Sequence, residues 1–220
     1  MAKATSRGTS ALSHRSAETR CKLLEAAGPI FAEKGLNGVT VREICGRAGV
    51  NIAAIHYHFG DKERLYIATV RYARERRAEQ YPFPDWDAAV SEAERLHGFV
   101  ETILRRMLEP DVPWQTRLLM REVLRPTEAC RELVEDYFRP DFERLVEIVR
   151  ALMPGRPSAR EARQAALSVM GQCLLYRIAG EIVRQLVSED EYEEAYTVES
   201  LTDHICRFSL AACRAWESAQ

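Results

Sequence analysis

The sequence predicts an all-α protein of about nine helices, a three-helix N-terminal unit followed by a larger helical bundle. Three observations carry this. Apolar residues recur at three- and four-residue spacing through most of the chain. No run of alternating β-branched residues bounded by turns interrupts them. Ser, Thr, Asn or Asp stand just before the apolar runs, and Gly or Pro just after, as helix caps and stops do.

Residues 1–15 are polar, with Lys3, Arg7 and Arg15, and read as a flexible basic arm. A first helix is expected over 17–34, capped by Ser16 and ended by Gly35. Leu23, Leu24, Ala27, Ile30 and Phe31 form its apolar stripe, and Pro29 is expected to bend it. Thr40 caps a short helix over 41–48, with Glu43 completing a capping box. Gly49 and Val50 make a tight turn, and Asn51 caps a second short helix over 52–59. Asp61 caps a longer helix to residue 80, and Pro82 and Pro84 mark a linker. Five further helices are expected over 86–109, 114–125, 128–153, 159–187 and 198–218. The third of these is kinked or split at Pro140, and the acidic stretch 189–194 links the last two.

Composition excludes several classes. The chain has 220 residues, enough to bury a sizeable core, with 46% hydrophobic and 29% charged residues, so a disordered chain is not expected. Its six cysteines show neither redox nor zinc spacing, as for reduced core cysteines. The first residues have no apolar signal-peptide core, and no apolar stretch approaches the roughly 20 residues of a membrane span. A cytoplasmic protein without membrane contact is therefore expected. No nucleophile elbow, phosphate-binding loop, dinucleotide fingerprint or metal cluster occurs. The expectation is a non-enzyme that needs neither cofactor nor metal.

The net charge of −2 hides an asymmetry. Residues 1–62 carry a net +4 and residues 63–220 a net −6, and all four lysines fall in the first segment. A polyanion partner at one end only is the implied consequence. The segment from Thr40, TVREICGRAGVNIAAIHYHF, reads as a helix-turn-helix. Ile44, Ala48, Val50, Ile55 and Phe59 have the spacing to pack inward, which leaves Asn51, Ile52, Ala54, His56, Tyr57 and His58 outward.

Three blocks in order, Leu23–Gly35, Thr40–Val50 and Ile55–Leu65, resemble the DNA-binding domain of TetR-family transcriptional regulators over about 50 residues. More narrowly, REVLRPT from Arg121, FRPDFERL from Phe138 and GQCLLYR from Gly171 resemble the CecR-type subgroup. The resemblance implies a DNA-binding domain over 16–62 and a helical ligand-sensing and dimerisation domain over 63–220. It implies that Thr40 caps the first short helix and meets a phosphate, and that Arg42 reaches a base edge or phosphate. Asn51, Ile52, Ala53 and Ala54 would face the major groove, His56 and Tyr57 the groove and backbone, and Lys62 a phosphate. Asn51 stands where the family usually has Ser, and caps as well. The apolar Ile52, Ala53 and Ala54 imply readout through thymine methyls and DNA shape.

The partners implied are double-stranded operator DNA, a small-molecule effector and a second copy of the chain. In the family, a ligand tilts the helix that follows the DNA-binding domain, here 61–80. This changes a separation of recognition helices that two successive major grooves require to be about 34 Å. Met107, Trp114, Leu118, Met120, Arg121, Tyr137 and Phe138 are candidate pocket residues, with Met170, Cys173, Tyr176 and Arg177 from a later helix. Leu167, Leu174, Ile178 and Ile182, and Leu201, Ile205, Phe208 and Trp216, are candidate dimer contacts on the last two long helices. The function implied is a ligand-responsive repressor. A helical adaptor without DNA binding is the alternative.

Overall fold

The computed structural model describes residues 6–109 and 113–216. Among them are twelve α-helices and one π-helical turn, with no strand. Helix α1 runs Ser6–Lys34, α2 Val41–Ala48, α3 Ile52–Phe59 and α4 Lys62–Gln80. Then come α5 Glu92–Leu108, α6 Pro113–Leu124, α7 Glu128–Leu133, the π turn Val134–Phe138 and α8 Arg139–Leu152. Helices α9 Ala159–Ile178, α10 Gly180–Leu186, α11 Glu189–Ala195 and α12 Val198–Arg214 complete the chain. The all-α expectation holds, with more and shorter helices than the expected nine.

The departures have local causes. Helix α1 begins at Ser6, so residues 6–15 of the expected arm are its first turns, and Ser16 is interior rather than a cap. Lys3 lies outside the described residues. Helix α5 starts at Glu92 rather than near residue 86, because Ser91 and Glu94 form a reciprocal capping box there. The expected 128–153 helix is divided as foreseen, but by a π turn just before Pro140. The expected 159–187 helix breaks at Ala179, and α9 and α10 meet at a bend of 79°. The acidic link is itself helical, because Ser188 accepts from the Glu191 N–H and caps α11. Its first-turn acids Glu189, Asp190 and Glu191 also complement the helix N-terminus. The last helix ends at Arg214, and residues 217–220 lie outside the described residues. Among the described residues no single helix is long and apolar enough to cross a membrane.

The chain forms two compact units, and their division differs from the expected boundary at residues 62 and 63. The first takes in the chain up to Arg77 together with the segment ending at Leu133, and the second takes in the rest. The reason is the apolar face of α4, where Leu65, Tyr66, Thr69, Val70 and Ala73 are buried. Side chains that pack with α1 and α6 cannot belong to a separate body.

In the first unit α1 packs on α2 and α6. Its core contains Leu23, Leu24, Ala27, Phe31, Ile44 and Ile55, none more than 2% exposed. Phe31 meets Tyr66 edge to face at 4.9 Å. The Trp114 ring of α6 lies flat on the α1 backbone at Gly28 and stacks on Tyr72 at 6.4 Å. A Cβ on Gly28 would sit 2.2 Å from that ring. Helix propensity alone would have Gly28→Ala stabilise by about 1 kcal/mol. We expect the opposite, a loss of about 2 kcal/mol in urea denaturation, because the added methyl would overlap an indole ring that already stacks on Tyr72.

Glu122 of α6 is fully buried. Its carboxylate accepts the Tyr66 hydroxyl on one oxygen, and the Thr127 N–H at 3.1 Å and Thr127 hydroxyl at 2.8 Å on the other. Burial, and then the Glu122 partner, hold the Tyr66 phenol well above its ordinary range, so it remains a donor at neutral pH.

The second unit has one continuous core drawn from α5, α8, α9 and α12. Leu96, Phe99, Val100, Leu104, Val149 and Ile205 are central, each at most 1% exposed. The linker is tied to this core by Phe83, which stacks on Phe99 at 5.0 Å, and by Arg106, which donates to the Tyr81 carbonyl and pairs with Asp141.

Candidate DNA-reading surface and effector cavity

Local chemistry builds the α2–α3 motif at the expected bounds, but the expected capping box is not formed, because the Glu43 carboxylate pairs with Lys34 instead of reaching back to Thr40. Thr40 accepts from the Glu43 N–H at 3.2 Å, and Asn51 accepts from the Ala53 N–H at 2.9 Å. Between the helices Gly49 takes φ 66°, a left-handed turn that disfavours any residue with a Cβ. Ile44, Ile55 and Phe59 point inward, while Ala48 and Val50 are half-buried. Asp61 accepts from the Arg64 N–H at 2.8 Å and starts α4 directly behind α3.

These caps leave one exposed row. Thr40, Arg42, Asn51, Ala53 and His56 are exposed, Ile52 is 37% exposed and Tyr57 is 79% exposed. Ala54 is half-buried. His56 donates from Nδ1 to the Gly60 carbonyl at 2.8 Å, which leaves Nε2 facing outward. Lys62 is half-buried and its Nζ donates to the Val39 carbonyl at 3.1 Å, so its ammonium sits beside the start of α2. Lys34 pairs with Glu43 at 2.5 Å and braces the same end of α2. Arg47, exposed on α2, is a basic residue the sequence reading did not include.

The candidate pocket residues fall in both units. Trp114, Leu118, Met120 and Arg121 belong to the first unit, and Met107, Tyr137, Phe138, Met170, Cys173, Tyr176 and Arg177 to the second. Leu118 and Cys173 are fully buried core residues. Burial pushes the Cys173 thiol up to about 12. Met107 and Met170 pack against the second core, and Arg121 lies against Gly35 just after α1. Tyr176 and Arg177 alone among the candidates line a cavity of about 610 Å³ where α5, α9, α10, α11 and α12 meet. Tyr192 of the expected acidic link and Tyr196 just after it share that cavity. Their four-residue spacing was the signal that could have marked them as one helix face.

The candidate dimer residues divide too. Leu167, Ile178, Ile182 and Phe208 are 48–62% exposed. Leu201 and Ile205 face the protomer's own core, and Trp216 packs against it and donates to Glu161. Leu174 is half-buried, and its neighbour Leu175, 51% exposed, takes the outer position. The exposed apolar face therefore joins one side of α9 to one side of α12. Gly171 lies on that side with open space around it.

Residues 23–69 match the family of bacterial regulatory proteins described as tetR family, and residues 93–213 match the C-terminal domain of the HTH-type transcriptional dual regulator CecR. The chain is 27% identical over 211 residues to the HTH-type transcriptional dual regulator CecR of Shigella flexneri, covering 89% of this chain and 93% of that one. It is 41% identical over 91 residues to the HTH-type transcriptional repressor AcnR of Corynebacterium efficiens, 41% of each chain. Among solved structures, AibR in complex with isovaleryl coenzyme A and operator DNA superposes with a TM-score of 0.60 at 16% identity, covering 86% of this chain and 97% of that one. A transcriptional regulator from Saccharomonospora viridis in complex with choline gives a TM-score of 0.58 at 20% identity, covering 87% and 95%. With a helix-turn-helix whose outer row is exposed and two matches that together run through both halves, this chain belongs to the TetR family of transcriptional regulators and carries a CecR-type C-terminal domain.

Proposed function

We propose that the protein is a homodimeric repressor that binds a palindromic operator in the cytoplasm and is released by a small molecule. The observation that carries this reading is the exposed row on α2 and α3, with Tyr57 outermost. An adaptor that does not bind DNA has no use for that row. Thr40, Arg42 and Lys62 hold the backbone, and Asn51, Ile52, Ala53, Ala54, His56 and Tyr57 enter or flank the major groove. The apolar start of α3 favours thymine methyls over bidentate hydrogen bonding.

The second copy docks through the exposed faces of α9 and α12, which form a four-helix interface about a two-fold axis. The effector enters the cavity at the end of α9. Relatives carry names of both kinds, repressor for AcnR and dual regulator for CecR, so transcription from the target promoter is measured in both directions.

The test is fluorescence anisotropy on DNA from upstream of the protein's own coding sequence, at several salt concentrations. Affinity falls steeply as salt rises, because phosphate contacts release counterions. Arg42→Ala is expected to weaken binding by about 1–3 kcal/mol and leave the oligomeric state unchanged. Absence of binding to any duplex would leave only the adaptor reading, and equal affinity for a scrambled duplex of the same length would show that the row holds DNA without reading its sequence.

A further inference from the structure

We propose that the cavity at the end of α9 binds a small organic cation with a guanidinium- or amidinium-type head, in place of the protein's own Arg184. This deepens the effector reading above and rests on it. The cavity is shared with that reading, and the chemistry of the ligand is new.

Three tyrosines form the platform. Tyr192 and Tyr196 lie with their rings parallel within 5° and centroids 5.3 Å apart, and Tyr176 meets Tyr196 edge-on at 6.2 Å. Such ring faces carry partial negative charge and attract cations. The protein already seats one there. The Arg184 guanidinium lies 4.4 Å from the Tyr192 ring centroid, and its Nη1 pairs with Glu189 at 2.6 Å. The Arg184 side chain is 44% exposed, so this contact is solvent-screened and exchangeable.

The surrounding charge selects the same class. Glu109, Glu181 and Glu199 line the cavity. The Arg105 guanidinium pairs with Glu101, Glu109 and Glu199 at 2.9, 3.2 and 3.5 Å. Helices α5 and α9 both end at the cavity, and helix C-termini carry partial negative charge. Three features oppose this, Arg177 in the lining, the N-terminus of α10, and the N-terminus of α12. The last is already met by the Thr197 cap and the first-turn Glu199. An anion in the place of Arg184 would meet the Tyr192 face and the Glu189 carboxylate, both of which repel it, and a neutral apolar ligand would leave Glu189 without its partner. A planar cation stacks on tyrosine and pairs with glutamate at once.

Displacement also has a structural consequence. Arg184 is on α10, and both its partners, Tyr192 and Glu189, are on α11. A ligand head that takes the Tyr192 face unties α10 from α11 beside the 79° bend.

The experiment is isothermal titration of the whole 220-residue chain with benzamidine, and with benzoate as the isosteric anion. Benzamidine is expected to bind and benzoate not to bind over the same concentration range. Tyr192→Leu is expected to weaken benzamidine about tenfold, the order of one desolvated cation–π contact. Arg184→Gln, at an exposed position that leaves the fold intact, is expected to tighten it about threefold, because the internal competitor is gone. Absence of benzamidine binding, equal binding of benzoate, or weaker binding by Arg184→Gln overturns the proposal. Operator binding is read on the same preparations. Protein that binds operator but ignores benzamidine loses this inference alone, and protein that binds benzamidine but no operator loses the repressor reading alone.

Discussion

The double substitution Leu175→Glu, Phe208→Glu is expected to make the protein monomeric in sedimentation velocity and to weaken operator binding about a hundredfold. Leu175 is 51% exposed and Phe208 62%, on two helices that pack against each other. Neither contributes to the protomer's own buried core, so the substitutions leave folding untouched. In a dimer each would place carboxylates in an apolar seam across the two-fold axis, where like charges meet. The affinity loss follows from geometry, because two linked half-site contacts raise each other's effective concentration and a monomer has only one. A dimer of unchanged stability would place the interface elsewhere. Leu201→Glu is the contrast. Leu201 is 4% exposed, and its replacement is expected to unfold the second unit rather than split a dimer.

Glu122→Ala is expected to destabilise the protein by about 2–4 kcal/mol, read as the midpoint of urea denaturation. The carboxylate accepts from Tyr66 and twice from Thr127, and all three donors are left without that acceptor when it goes. Thr127 also accepts from the Ala129 N–H, so the start of α7 loosens with it. Tyr66→Phe removes one donor and leaves the carboxylate bonded to Thr127. It is expected to cost about 1 kcal/mol. Equal losses in the two variants would show that the Tyr66–Glu122 bond alone, and not the Thr127 donors, sets the cost.

The DNA-reading motif was legible in the sequence because its determinants are local. Thr40 and Glu43, Asn51 and Ala53, and Gly49 act within one helical turn of each other. The bounds of α2, α3 and α4 follow from such caps, and so does the outward row from Arg42 to Tyr57. The ends of the larger helices were less legible. Ser91 and Glu94 carry a capping box as plain as that of Ser158 and Glu161, but the apolar residues ahead of them suggested an earlier start. The expected pocket mixed residues of both units, because an apolar stripe shows that a helix face is covered and not by what.

The sequence by itself determined that the protein is all-α, that its basic end carries a helix-turn-helix, and which turn residues hold the second helix of that motif. These depend on hydrogen bonds and spacings within a few residues. Tertiary structure alone decided that Leu201 and Ile205 are core while Leu175 and Phe208 are surface. It alone decided that Glu122 bonds Tyr66 across 56 positions, and that Tyr176 meets Tyr196 at the mouth of a bent helix. Each of those outcomes depends on which faces of distant helices meet, and helical periodicity specifies a face without specifying its partner.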